Sequence, residues 1–257
     1  MLLDNNLPIL NENDAKNLLA GPYGDQLLRL ATNHMTFIAF GTPTSKPVDL
    51  RKASCFFVKS SEKTFGVTAK HVMQALKSAQ ESDRSTIRQI GNTIVDLAGR
   101  QIAEGIRVDI ATFEMSESEI ERLEKTPITL WPPDPPNNDD KGVLISGYPA
   151  KSLSPMSERE AVFGIYTASA VAQRITDWQI TIQVEWNHVQ GRPELGGLPP
   201  RNFDTGGMSG GPVLSIRDRR GFQSFPLAGV ISEGRIETDT FIAERADAIL
   251  ANGLIRS

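Results

Sequence analysis

The chain has 257 residues, a formal net charge of −4, three histidines and one cysteine. That length suits one large all-β domain or two small ones, and a chain of this size buries about 70–75% of its unfolded surface without staples. The charge, spread without a basic cluster, argues against nucleic acid as a partner, and the absence of a long apolar run argues against a membrane span.

Cys55 rules out an internal disulfide and lies in the apolar run Ala53-Ser54-Cys55-Phe56-Phe57-Val58, as a small buried hydrophobe in a reducing compartment would. The opening Met1-Leu2-Leu3-Asp4-Asn5-Asn6 lacks the basic and apolar regions of a signal peptide, so a cytoplasmic location is expected.

In chain order, Asn11 is placed to cap a short helix that Gly21-Pro22 ends. Residues 25–32 set Leu27, Leu28, Leu30 and Ala31 on the apolar side of a second helix. Residues 1–32 thus read as a helical extension, whose functional reading is a regulatory arm or a docking segment. Residues 35–41 read as a strand, and 54–59 with 64–69 as a hairpin across Ser60-Ser61-Glu62-Lys63. That hairpin leaves His71 at the end of its second arm, followed by a short helix over 72–79. Strands around 93–95 and 106–108 lead to Asp109, and Ser116 caps a charged helix running to Glu124.

The four prolines between Trp131 and Asn137 deny ladder donors, so residues 131–141 are expected to link a unit at 33–130 to one at 142–257. Strands follow at 142–147, 161–167 and 180–186, and Leu195-Gly196-Gly197-Leu198-Pro199-Pro200 reads as irregular backbone. Arg217-Asp218-Arg219-Arg220-Gly221 reads as a solvated hairpin tip, and 241–250 as a final strand or helix.

The most informative stretch is Asp204-Thr205-Gly206-Gly207-Met208-Ser209-Gly210-Gly211-Pro212. Glycines around one serine permit a tight loop in which the hydroxyl is exposed and neighbouring N–H groups converge, as acyl transfer requires. The same residues fit the G-x-S-x-G elbow of α/β-hydrolases, but no histidine follows Ser209 to complete that triad. His71 precedes it, at the end of an apolar strand. Asp109 comes 38 residues later, in a strand-like run where its carboxylate needs a partner, and Ser209 a further 100 residues on. His34 and His188 read as structural and surface histidines.

Thr68-Ala69-Lys70-His71-Val72, Asp109-Ile110-Ala111 and Gly207-Met208-Ser209-Gly210-Gly211-Pro212 resemble, in that order, the three motif blocks of trypsin-like (chymotrypsin-fold) serine proteases, in their intracellular bacterial-type branch. The resemblance covers roughly residues 33–250. It implies an all-β fold of two packed six-stranded antiparallel β-barrels, here with the short N-terminal helical extension. It implies a serine endopeptidase acting through His71, Asp109 and Ser209, with the N–H groups of Gly207 and Ser209 as the oxyanion hole. Ser232 matches the position whose hydroxyl supports the aspartate, and Phe203, Asp204, Glu233 and Gly234 match the substrate pocket.

An acid in that pocket favours Arg or Lys at the cleaved position, whereas Phe203 at its base blocks long side chains; the sequence leaves both open. Met208 stands where many secreted relatives carry the aspartate that captures a new N-terminus, so activation by that salt bridge is not expected. The expected partner is a polypeptide substrate, with a regulatory protein partner or oligomer holding a cytoplasmic protease in check, and neither metal nor cofactor. The alternative is a latent or inactive protease-fold protein acting as a protein-binding module.

Overall fold

The computed structural model describes residues 12–42, 49–149, 153–155, 161–185, 189–190, 204–219 and 222–257. Two helices open it, α1 (Glu12–Ala20) and α2 (Pro22–His34). The first sheet follows: β1 (Met35–Thr42), β2 (Asp49–Lys59), β3 (Thr64–Thr68), β4 (Ile87–Ile90), β5 (Thr93–Ile94), β6 (Gln101–Glu104) and β7 (Ala111–Glu114). Helix α3 (Lys70–Ser82) lies between β3 and β4, and α4 (Glu117–Arg122) follows β7.

The second half holds β8 (Gly142–Gly147), β9 (Leu153–Pro155), β10 (Ala161–Phe163), β11 (Tyr166–Ile175), β12 (Gln179–Gln183), β13 (Val189–Gln190), β14 (Pro212–Ser215), β15 (Arg217–Arg219), β16 (Phe222–Ser224), β17 (Leu227–Arg235) and β18 (Thr240–Arg245).

The second sheet has the order β12-β18-β17-β14-β8-β11-β13, and β12 also pairs with β11. That pairing closes a ring of six antiparallel strands, as expected of a barrel, with β13 appended to β11. The first sheet departs from the six-stranded expectation. Its order is β5-β4-β1-β2-β3-β7-β6, and among the described residues β5 and β6 do not pair to close it. Its inner face is instead completed by α3, whose Val72, Met73 and Leu76 pack with Ile90, Val95, Leu97 and Phe113.

Between the sheets lies a shared core in which Phe56, Val58, Phe65 and Val67 meet Leu144, Leu214, Leu227 and Val230. Leu27, Leu28 and Ala31 of α2 enter the same core, and α2 contacts both β1 and β8. Burying two leucines contributes about 3–6 kcal/mol, so α2 is part of the core rather than a surface addition.

Several segments differ from the sequence reading. Residues 106–108 are not a strand, because the Gly105 N–H donates to Ile110 O (2.8 Å) and turns the chain just before β7. Asp109 therefore sits in a loop. The Pro-rich stretch is pinned rather than loose: Asp134 N–H donates to Leu227 O (2.8 Å), and the Ser215 hydroxyl to Asp134 O (2.6 Å). Arg217 is not a solvated tip residue. Only 5% exposed, it makes paired bonds to the Asp134 carboxylate (2.8 and 3.1 Å), pairs with Asp140 (2.9 Å) and donates to Pro135 O.

Candidate active site

His71 stands in the first turn of α3. A helix start leaves backbone N–H groups without partners, and the Asp109 carboxylate fills that vacancy from another loop. Asp109 Oδ1 accepts the His71 backbone N–H at 2.9 Å, while Oδ2 lies 2.6 Å from His71 Nδ1. One carboxylate thus caps the helix and fixes the ring, assigning the proton on Nδ1 and leaving Nε2 to accept. Lys70 secures the loop, its N–H on Asp109 O (3.3 Å) and its Nζ on Gly105 O (2.9 Å). Burial pushes the Asp109 carboxyl up, but the His71 ring and backbone bonds and the nearby His71 and Lys70 charges outweigh it and hold Asp109 below the ordinary carboxylate range. The imidazole is open to solvent, its side chain 51% exposed against 24% for Asp109.

The serine loop is shaped by its own turns and by the first sheet. Met208 N–H donates to Thr205 O (3.0 Å), Gly211 N–H to Met208 O (2.9 Å) and Gly210 N–H to Ile231 O (2.8 Å). Among the described residues the N–H groups of Gly207 and Ser209 donate to no protein acceptor.

Ser54, midway along β2, grips this loop with two groups and β3 with a third. Its N–H donates to Ser209 O (2.9 Å) and its hydroxyl to Gly207 O (2.8 Å), while its carbonyl accepts the Thr68 hydroxyl (2.8 Å). The Tyr148 N–H donates to the same Ser54 hydroxyl (2.9 Å). Sequence reasoning missed Ser54, because a serine inside an apolar run carries no signal of what it binds 150 residues away. Gly210 (φ +86°) is packed so tightly against Ser54 O and the Thr68 hydroxyl that no side chain fits. Met208, fully buried beside Gly147, is a core residue rather than a charge partner for a new N-terminus.

The Ser209 hydroxyl donates to the Ser232 carbonyl at 3.2 Å. Ser232 does not offer its hydroxyl to Asp109 in the expected way; that hydroxyl donates to Ile242 O (3.1 Å). The reason is the register shift between Ile231 and Glu233 in the β17–β18 ladder, which leaves Ser232 outside the regular pairing.

Of the expected pocket residues, Phe203 lies outside the described residues. Asp204 is exposed, and its Oδ1 accepts the Gly206 N–H (2.9 Å). Glu233 is exposed and paired with Arg235 (2.8 Å). Gly234 lies against Thr205, whose hydroxyl donates to Gly234 O (3.1 Å), and against Phe241, so the two walls touch here. Among the described residues no group of three or more His, Cys, Asp or Glu could hold a metal ion, and no helix is long and apolar enough to cross a membrane.

Cys55 is fully buried, and burial raises its thiol. His34 Nδ1 lies 2.7 Å from Thr126 O, joining α2 to the segment after α4.

No protein-family model and no curated protein sequence matches the chain. Solved structures do. The Rv3671c protease from M. tuberculosis, in its active form, superposes with a TM-score of 0.50 at 16% identity, over 89% of this chain and 81% of that one. The serine protease domain of the Sesbania mosaic virus polyprotein aligns at 16% identity and TM-score 0.45, over 86% and 93%. A Glu endopeptidase aligns at 12% identity and TM-score 0.45, over 83% and 85%. The architecture, one closed six-stranded barrel packed on a second sheet, is that of the trypsin-like serine protease fold.

Proposed function

We propose that this protein is a serine endopeptidase that cleaves polypeptides through an acyl-enzyme formed on Ser209. The observation that carries this reading is the double contact of Asp109 with His71, on its helix N–H and its ring. A carboxylate fixing one ring nitrogen presents the other as a general base. Ser209 turns its hydroxyl from the Ser232 carbonyl to Nε2, gives up the proton and attacks the scissile carbonyl. His71 then returns that proton to the leaving amine, and Asp109 stabilises the imidazolium formed in between.

The oxyanion is received by the N–H groups of Gly207 and Ser209, which donate to no other group among the described residues; each such donor is worth about 3 kcal/mol in the transition state. In this reading the unit at 33–130 carries His71 and Asp109, the unit at 142–257 carries Ser209, and 131–141 joins them.

A fluorophosphonate probe with peptide mapping tests the reading. Wild type is expected to be labelled at Ser209, and Ser209→Ala not at all. A wild-type protein that stays unlabelled while folded would remove the endopeptidase assignment.

A further inference from the structure

Among the described residues, Arg217 and Glu244 are the charged side chains that folding hides most completely from water. Arg217 is fully paired. Glu244, 3% exposed, is not: Oε1 accepts from Gln179 Nε2 (3.0 Å), Oε2 makes no hydrogen bond, and no cation among the described residues pairs with it. It stands on β18 between β12 and β17, opposite Gln179 on one side and Val230 on the other. Two groups of the candidate site face this carboxyl, the Ser232 hydroxyl and the backbone N–H of Asp109. Glu244 therefore lies beside Ser232 and the Asp109 loop, between β12 and β17 of the barrel.

An unpaired anion there is strongly disfavoured. A neutral carboxyl is not, and it has a proton to offer the Ser232 oxygen, whose own proton goes to Ile242 O.

We propose that Glu244 is a positioning residue, a strut from β18 that holds the Asp109 loop and Ser232 in the arrangement from which Asp109 orients His71. This rests on the endopeptidase reading above. Burial first, and then the Asp109 charge, raise the Glu244 carboxyl above its ordinary range, against the Gln179 bond and the nearby Ser232 hydroxyl and Asp109 N–H. The groups facing it are the anionic Asp109 and the uncharged Gln179 and Ser232; Arg245, next along the strand, is engaged with Asp247 (2.6 Å). Ionisation of Glu244 sets a second negative charge against Asp109 and loosens the strut.

Because the folded form holds the proton more tightly, the stability it contributes is complete below the free carboxyl value of about 4.3 and is lost as pH rises through the folded value.

The test compares wild type, Glu244→Gln and Glu244→Ala by the rate of fluorophosphonate labelling at Ser209 and by melting temperature, both from about pH 5 to about pH 10. Glu244→Ala is expected to label about tenfold more slowly at neutral pH and Glu244→Gln to restore most of that rate, one order of magnitude being about 1.4 kcal/mol of lost positioning. The wild-type rate falls on the alkaline side and the Glu244→Gln rate does not. The melting temperature of wild type drops relative to Glu244→Gln as pH rises.

Identical alkaline limbs with parallel melting curves overturn the strut, as does an alanine variant labelled as fast as wild type. A protein never labelled at Ser209 refutes the endopeptidase reading instead. The melting curves then decide alone: divergence with pH supports Glu244 as a neutral strut, and a constant gap overturns it.

Discussion

Gly210→Ala tests how tightly the serine loop is seated. A methyl group at this position meets Ser54 O, the Thr68 hydroxyl and, at 3.0 Å, the Ala69 amide nitrogen. The left-handed backbone (φ +86°) costs an L-residue about 1–2 kcal/mol, and overpacking adds about 1–3 kcal/mol. Together these amount to about 2–5 kcal/mol, which lowers the melting temperature of a chain this size by about 10 °C. Gly253→Ala is the control. It shares the backbone cost (φ +84°), but its methyl touches only Ile102 and Phe65 at 3.3 Å or more, so about 4 °C is expected.

The assay is thermal unfolding followed by circular dichroism, with Ser209 labelling measured on the folded protein. Gly210→Ala should lose labelling along with stability, since the methyl forces Ser209 away from Ser54, and Gly253→Ala should keep it. Equal losses in the two variants would refute the seating argument.

Asp109→Asn is expected to slow Ser209 labelling by about 10³–10⁴-fold with the fold intact; a loss under tenfold would remove Asp109 from the site. Because Asp109 is held below the ordinary range, wild type should exceed Asp109→Asn in melting temperature at neutral pH, the gap closing as pH falls below about 4. Burial pushes Glu119 up, but the Ser116 amide and Arg100 bring it down to about 2. The stability gap between wild type and Glu119→Gln is therefore full above about pH 4.3 and shrinks as pH falls towards 2 in acid melts. Arg217→Met should cost about 2–4 kcal/mol by urea unfolding and open residues 131–141 to limited proteolysis; an uncut strap would contradict its role as a clamp.

Where local chemistry dominated, the sequence was readable. The Ser116 capping box forms with Glu119 in both directions, and the β-branched runs at β1 and β8 are strands with nearly the expected limits. The fold class followed from three spaced motifs; the Ser209 loop packs against Ala69, and Asp109 bonds to Lys70 and His71. What was missed depends on distant partners. The alternating Ile106-Arg107-Val108 resembles a strand, yet the Gly105–Ile110 bond makes it a turn. Strand β11 hides in Ala-Ser-Ala-Val-Ala, whose small residues carry little β-propensity until β8 and β12 flank them. Arg217 and Glu244 look like solvated charges from their neighbours in sequence; only the packed fold brings Asp134 to one and Gln179 to the other.

Ser54 belongs to the amino-terminal half, yet its bonds to Gly207 O and Ser209 O help set the shape of a loop encoded in the carboxyl-terminal half. The nucleophile's template is thus written on the opposite lobe. A carboxyl-terminal fragment made alone would lack that mould for the Gly207–Ser209 turn. The Gly207–Ser209 turn is therefore held in full only once both halves of the chain have packed together.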